Sequence, residues 1–194
     1  MFSQLRILCP ITCLALLCAS FAQAEQKTFE LDPAQTKVNF TLDSTLHTVH
    51  GAFHLKRGRI QFDPATGQAG GELLVDATSG ESGSNGRDKR MHKDILESPK
   101  YPDIVFTPQH VKGAVAVDGK SQVDVDGLLT LHGQSRPVTL TIQLQLQSGA
   151  GTADTEFSVP YQKWGMKNPS TFILRVNDKV ELHVHSTGKF VAEK

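Results

Sequence analysis

The sequence has 194 residues, and its 20 Lys and Arg balance its 20 Asp and Glu, so the formal net charge is zero. No basic patch stands out as a phosphate-backbone footprint, and nucleic acid is not an expected partner. The length suits one domain with a full hydrophobic core and is short for two.

The chain opens like an export leader. Arg6 supplies a positive start, Ile7 to Phe21 is apolar, and Ala22-Gln23-Ala24 is an A-x-A cleavage site. Residues 1–24 are therefore expected to be a signal peptide and 25–194 the mature domain, delivered to the periplasm or the exterior. The apolar run is short for a transmembrane helix, and no later stretch is apolar enough to span a bilayer. Cys9, Cys13 and Cys18 all fall inside the leader. A mature chain without thiols has no disulfide framework, cysteine nucleophile or thiolate metal site. A lipoprotein cut at Cys18 competes with the Ala24 cut, but Leu16 and Leu17 stand where small residues would be expected.

Period two dominates the rest. Val38, Phe40 and Leu42 predict a strand, followed by Val49, Phe53 and Leu55, then Ile60 and Phe62, then Leu73 and Val75. Each set alternates with polar neighbours, the mark of a strand buried on one face. Between Ser84 and Leu96 the alternation stops. The segment is charged, Asn85 is placed to cap a helix, and Met91, Ile95 and Leu96 fall on one face. A short helix over 84–96 is expected, entered through Gly80, Gly83 and Gly86 and stopped by Pro99 and Pro102. Strands resume at Val115 and Val117 and at Val123 and Val125. The clearest run follows, Val138, Leu140, Ile142, Leu144 and Leu146 alternating with Thr and Gln, and Val180, Leu182 and Val184 end the series. Reversals are expected at Asp32-Pro33, Asp63-Pro64 with Gly67, Asp118-Gly119, Gly133-Gln134 and Gly149 to Gly151. A long sheet buried on one side must pack on another sheet or curl onto itself, and closure also removes exposed edges. The expected class is all-β, a largely antiparallel meander closed into a barrel.

Catalytic signatures are scarce. There is no Gly-x-Ser-x-Gly elbow, no His-Glu-x-x-His and no phosphate-cradling Gly-x-x-x-x-Gly-Lys. His183 and His185 share one face of a strand, as do His50 and His54, so two-histidine metal sites are geometrically available. Zinc wants three or four ligands, and Glu181 joins His183 and His185 only on the polar face, so solvent-exposed histidines are the better reading. No catalytic residue, metal or cofactor is expected.

The motifs Val49-x-Gly51-x-Phe53, Gly58-x-Ile60-x-Phe62-Asp63-Pro64, Arg87-Asp88, Tyr101-Pro102-x-Ile104-x-Phe106, Leu129-Thr130-Leu131-His132-Gly133 and Pro137-Val138-x-Leu140 occur in an order that resembles the YceI-like family across the mature chain. That resemblance implies a lipocalin-like antiparallel barrel of about eight strands whose lumen takes a polyisoprenoid or a similar chain. It also makes a homodimer an expectation. The family's Arg-Asp-x-His pattern has Arg90 in its last place here, with His92 two residues on, and Asp43 stands where many members carry a histidine.

On this basis Phe40, Leu42, Phe53, Leu55, Phe106, Leu140, Ile142, Leu144 and Trp164 are candidate lumen residues, Trp164 as a closure of one mouth. Arg87, Asp88 and His92 are candidates to meet a polar head group, the guanidinium because it can hold phosphate bidentately. Two rival readings stand beside the lipid carrier. One is a metal-dependent hydrolase built on the strand histidines; the other is a structural or stress-related interaction protein whose barrel is merely filled.

Overall fold

The computed structural model describes residues 26–192, so the expected leader and its cleavage site lie outside the described residues. Among the described residues nine strands form a single sheet: β1 (Lys27–Leu31), β2 (Lys37–Asp43), β3 (Thr48–Phe62), β4 (Ala69–Glu81), β5 (Asp103–Lys112), β6 (Gly119–Leu131), β7 (Gln134–Gln147), β8 (Ala150–Val159) and β9 (Val180–Val191). From β2 to β9 each strand pairs antiparallel with the next, and β9 returns to β1 and β2. This closes the sheet and leaves no edge to template aggregation.

Strands β1 and β2 occupy one position between β3 and β9. Phe29 pairs with Ile60 and Phe190 near one end, and Phe40 pairs with Gly51 and Leu182 near the other. Nine strands thus fill eight positions, which reconciles the count with the eight-stranded expectation. The break between them is a 3-10 turn, Pro33–Gln35, held because the Asp32 carboxylate accepts the Ala34 N–H at 2.9 Å and the Thr36 hydroxyl donates to the Asp32 carbonyl at 2.8 Å.

Three sequence expectations need correction. The predicted strands at Val49–Leu55 and Ile60–Phe62 are one 15-residue strand, β3. Its ladder with β4 slips between Leu55 and Arg57, so inward positions change from odd to even numbers across a β-bulge. Val115 and Val117 form no strand: Gly113 (φ 103°) takes the chain out of β5, and the connection stays irregular up to β6. Strands β1, β5 and β8 were not foreseen, because their alternation is short, interrupted by Pro108 or diluted by Thr, Asp and Gly. The β6–β7 and β7–β8 reversals fall on His132-Gly133 and Ser148-Gly149, all four residues at positive φ, as mirror-image hairpin turns require.

The two ends of the barrel differ. One is packed shut by Phe29, Leu31, Leu55 and Leu146, with Phe190 against them. Phe29 meets Phe190 edge-on at 5.2 Å between ring centroids, and Phe62 lies 6.2 Å from the same ring. Gly188 is small because a Cβ there would come within 2.5 Å of the Phe29 ring. The opposite end carries the β2–β3 and β6–β7 hairpins, the helix after β4 and the long β8–β9 connection.

Removing the aromatic seal tests this division. Phe29→Ala is expected to lower stability by about 3–5 kcal/mol, and the thermal midpoint by roughly 10 °C, followed by circular dichroism. The exposed Gln147→Ala should change stability by less than about 0.5 kcal/mol.

Candidate functional site

The barrel encloses a cavity of about 880 Å³ that reaches the end opposite the aromatic seal. Every strand contributes to its wall: Leu31, Val38, Phe40, Leu42, Val49, Phe53, Leu55 and Ile60 from β1 to β3, Leu73, Val75, Ile104 and Phe106 from β4 and β5, and Leu129, Leu131, Leu140, Ile142, Phe157, Val159, Val180, Leu182 and Val184 from β6 to β9. Period two makes this surface, since every second side chain of every strand points inward. Polar atoms on the wall are few. Thr36 and Ser186 are buried there, and the buried Thr155 hydroxyl has no hydrogen-bond partner.

Of the predicted lumen residues, Phe40, Leu42, Phe53, Leu55, Phe106, Leu140 and Ile142 lie on the wall. Leu144 does not. It sits a step further along β7 and packs with Leu146 in the sealed end. Trp164 is also off the wall, buried to 3 % exposure in the 3-10 turn Tyr161–Trp164. Its indole N–H donates to the Leu129 carbonyl at 3.1 Å, and Arg136 lies over the ring at 5.8 Å. It pins the β8–β9 connection to the barrel from behind, while Tyr161 and Met166 from the same stretch reach the cavity.

The mouth is built from non-strand elements. Helix α1 (Asn85–Arg90) runs into a π-helical turn, Met91–Ile95, and together they occupy the predicted 84–96 interval. Ser84, not Asn85, is the N-cap residue, and it makes no side-chain cap bond. Met91, Ile95 and Leu96 turn toward the cavity, as their spacing predicts, and the Leu96 N–H bonds the Met91 carbonyl at 2.8 Å.

Polar contacts hold this short helix in place. The Arg87 Nε donates to the Ser82 hydroxyl at 2.7 Å and its Nη2 to the Ser82 carbonyl at 2.6 Å. Asp88 accepts the Ser82 N–H at 3.0 Å and also the Ser82 hydroxyl. His92 Nε2 donates to the Gly80 carbonyl at 2.8 Å, which in the neutral ring leaves Nδ1 to accept from Ser98 at 2.9 Å.

The three predicted head-group residues therefore separate. Arg87 is at the mouth with N–H groups to spare, whereas Asp88 and His92 look into an outer groove beside Lys89, Lys93 and Glu97. Arg90, Asp94, Lys167 and His47 also line the mouth. Sequence reasoning did not assign them there. Lys167 and its neighbours lie in a stretch without periodicity, and Arg90 was visible only as a departure from the family pattern.

The strand histidines lie outside the barrel. His185 Nδ1 and Asp154 are 2.6 Å apart, His183 lies 3.8 Å from Asp154 and 3.9 Å from Glu156, and His50 bonds the Thr41 hydroxyl at 3.0 Å. Among the described residues no group of three or more His, Cys, Asp and Glu is arranged to hold a metal ion. No helix among them is long and apolar enough to cross a membrane.

The chain belongs to the YceI-like domain family, whose model matches residues 29–187. Among curated relatives, a UPF0312 protein of Vibrio cholerae is 29% identical over 126 residues, and one of Pseudomonas syringae is 30% identical over 130 residues. The matches span 63% and 65% of this chain and 64% and 65% of those relatives' own length. Similar solved structures include Burkholderia cenocepacia BcnA, with a TM-score of 0.66 and 20% identity, covering 81% of this chain and 98% of that one. Another is described as a polyisoprenoid binding domain from Saccharophagus degradans implicated in plant cell wall breakdown, with a TM-score of 0.65 and 17% identity over 83% and 97% of the two chains. At such identities the solved structures establish the shared barrel.

Tyr161 offers a probe of the mouth. Its hydroxyl donates to the Asn177 carbonyl at 2.7 Å, and burial, then the nearby Asp178 carboxylate, push its ionisation above the ordinary phenol range. The fold thus favours the neutral phenol, a contribution fully present below about pH 10 and lost as pH rises through the higher folded value. Absorbance titration should show a late-ionising tyrosine that Tyr161→Phe removes, and hydrogen exchange should show the 160–179 connection loosening above that pH.

Proposed function

We propose that the mature protein is an exported, non-catalytic carrier of a long apolar lipid, a polyisoprenoid, an isoprenoid quinone or a related chain, held in the barrel lumen with its polar end at the mouth. The observation that carries this reading is the cavity of about 880 Å³, apolar along its length and shut at one end. That volume is within the range of about 300–1,000 Å³ typical of ligand cavities, and a barrel that was merely filled would not have it. The Saccharophagus degradans neighbour, described as a polyisoprenoid binding domain, supports the same class of cargo.

The energetics are adequate. Burying a five-carbon isoprene unit is worth on the order of 3 kcal/mol, and association costs about 4–15 kcal/mol, so a few units suffice. Affinity then comes from the chain. Selection comes from the mouth, where Arg87, Arg90 and Lys167 outnumber Asp94 and suit an oxygen-rich or anionic head. The periplasm or the exterior follows from the expected leader.

Organic extraction of protein purified without detergent, followed by mass spectrometry, should release a long-chain apolar lipid. Leu140→Trp, which narrows the lumen, should reduce the amount recovered at unchanged fold. Offered polyprenols should bind at least about tenfold more tightly per added isoprene unit until the lumen is full. Recovery of no lipid together with no uptake of polyprenols or quinones would sink the carrier reading.

A further inference from the structure

The cavity mouth is crowned by side chains that the fold gives no reason to expose. Four large hydrophobic residues are exposed among the described residues, and three are at this end: Leu46 at 68 %, Phe172 at 96 % and Ile173 at 78 %. Isolated exposed hydrophobics need no explanation, but these form a group. Leu46 is in the β2–β3 hairpin. Phe172 and Ile173 are the two central residues of a turn closed by the Thr171 N–H to the Leu174 carbonyl at 2.8 Å and the Leu174 N–H to the Thr171 hydroxyl at 3.0 Å. Turn tips favour Gly, Asn, Asp, Ser and Pro, and a Phe-Ile tip is the reverse of that preference.

The two loops form one built unit. The Thr45 N–H donates to the Arg175 carbonyl at 2.9 Å, the Arg175 N–H to the Thr45 hydroxyl at 3.2 Å, and Ser44 bridges Val176. Below the tip, the Val176 N–H donates to the Ser170 hydroxyl at 2.8 Å and the Ser170 N–H to the Asn168 side chain at 2.8 Å. The tip is thus presented on a braced support. Its flanks continue into the cavity, because Ser44, His47, Thr171 and Leu174 all line the mouth.

Charge identifies the occupant. Across the β8–β9 connection Lys163, Lys167, Arg175 and Lys179 are all exposed, with Asp178 the sole acidic residue among them. An apolar tip carried on a connection whose exposed charges are mostly cationic, at the mouth of an apolar channel, matches the interface of an anionic bilayer, where hydrocarbon lies under a negative surface. We propose that Leu46, Phe172 and Ile173 form a docking prong that inserts into an anionic lipid bilayer and sets the barrel mouth against it. The prong gives the carrier proposed above a path by which cargo passes between membrane and lumen without crossing water. Docking rests on that reading for its purpose alone, since the surface exists whatever the lumen holds.

The test is co-sedimentation of the mature protein with vesicles of phosphatidylglycerol and phosphatidylethanolamine, compared with phosphatidylcholine vesicles. Binding to the anionic vesicles is expected, falling on addition of salt. Phe172→Ser with Ile173→Ser should weaken it by about 100-fold, as removal of two buried apolar side chains implies. Lys167→Gln and Arg175→Gln should each weaken it about fivefold. The prong variants should keep the wild-type thermal midpoint, because the Phe172 and Ile173 side chains are mostly exposed. A tryptophan placed by Phe172→Trp should be quenched by bromine-labelled acyl chains. The proposal is overturned if the wild-type protein stays in the supernatant with anionic vesicles, or if the serine variant binds as well as the wild type. It is equally overturned if the prong drives a dimer in sedimentation velocity while vesicles recruit nothing. Lipid extraction from the same samples separates the two readings: a carrier without docking retains cargo in the Phe172→Ser, Ile173→Ser and Arg175→Gln variants, whose side chains do not line the cavity, and docking without a carrier gives vesicle binding with no extractable lipid.

Discussion

An apolar wall surrounding space that its own side chains do not fill is the constraint on which the other features depend. At about 24 cal/mol per Å³ of void, each 100 Å³ of deep lumen left dry would cost roughly 2 kcal/mol, a large share of the 5–15 kcal/mol that holds a typical domain together. Water is a poor filler, since each buried molecule wants two to four polar partners and the deep wall offers only the hydroxyls of Thr36, Thr155 and Ser186. Hydrocarbon suits such an interior better than either, as the proposed carrier reading requires. For the same reason the barrel needs an opening, and the mouth is as much a consequence of the wall as the wall is of the strands.

The two ends solve opposite problems. At the closed end Phe29, Phe62 and Phe190 bury one another and cap the channel by packing alone. At the mouth, a helix of six residues and its π-helical turn would be marginal by themselves. They are held by hydrogen bonds that converge on Ser82, Gly80 and Ser98, with Met91, Ile95 and Leu96 as an apolar underside. Elements tied down by a few polar contacts on a rigid scaffold open at lower free energy than the strands beneath them.

How far the sequence foretold this follows from what period two can and cannot encode. It fixes which side chains point inward, so Phe40, Phe53, Leu140 and Ile142 were readable as wall residues, while Phe106 came through the family motif. It says nothing about depth, so Leu144 carried the same signal as Ile142 although it ends in the sealed core. A bulge reverses parity in the middle of a strand, and alternation that changes phase is indistinguishable from two strands, which is how β3 read. Strand β1 and the β8–β9 connection lacked the pattern, and the second supplies Tyr161, Met166 and Lys167 to the cavity. Family resemblance grouped Arg87, Asp88 and His92; all three bond the residues that anchor the helix, and of the three only Arg87 also lines the mouth.

The distribution of chemistry along the channel implies a separation of labour that similarity alone would not reveal. Apolar walls accept many sequences, because volume and patterning matter more than identity in a hydrophobic interior. This accounts for a barrel shared with structures at 20% identity or less. Such a wall also discriminates poorly between cargoes, each methylene adding a similar increment whichever molecule carries it. Charged groups at the rim behave differently, since a buried or half-buried ion left without its partner is penalised strongly. On the proposed carrier reading, selection depends on Arg87, Arg90, Asp94 and Lys167 at the rim, while capacity for hydrocarbon depends on the wall. A fold is retained for what its wall does in common, and function is specified by the few side chains where the wall ends.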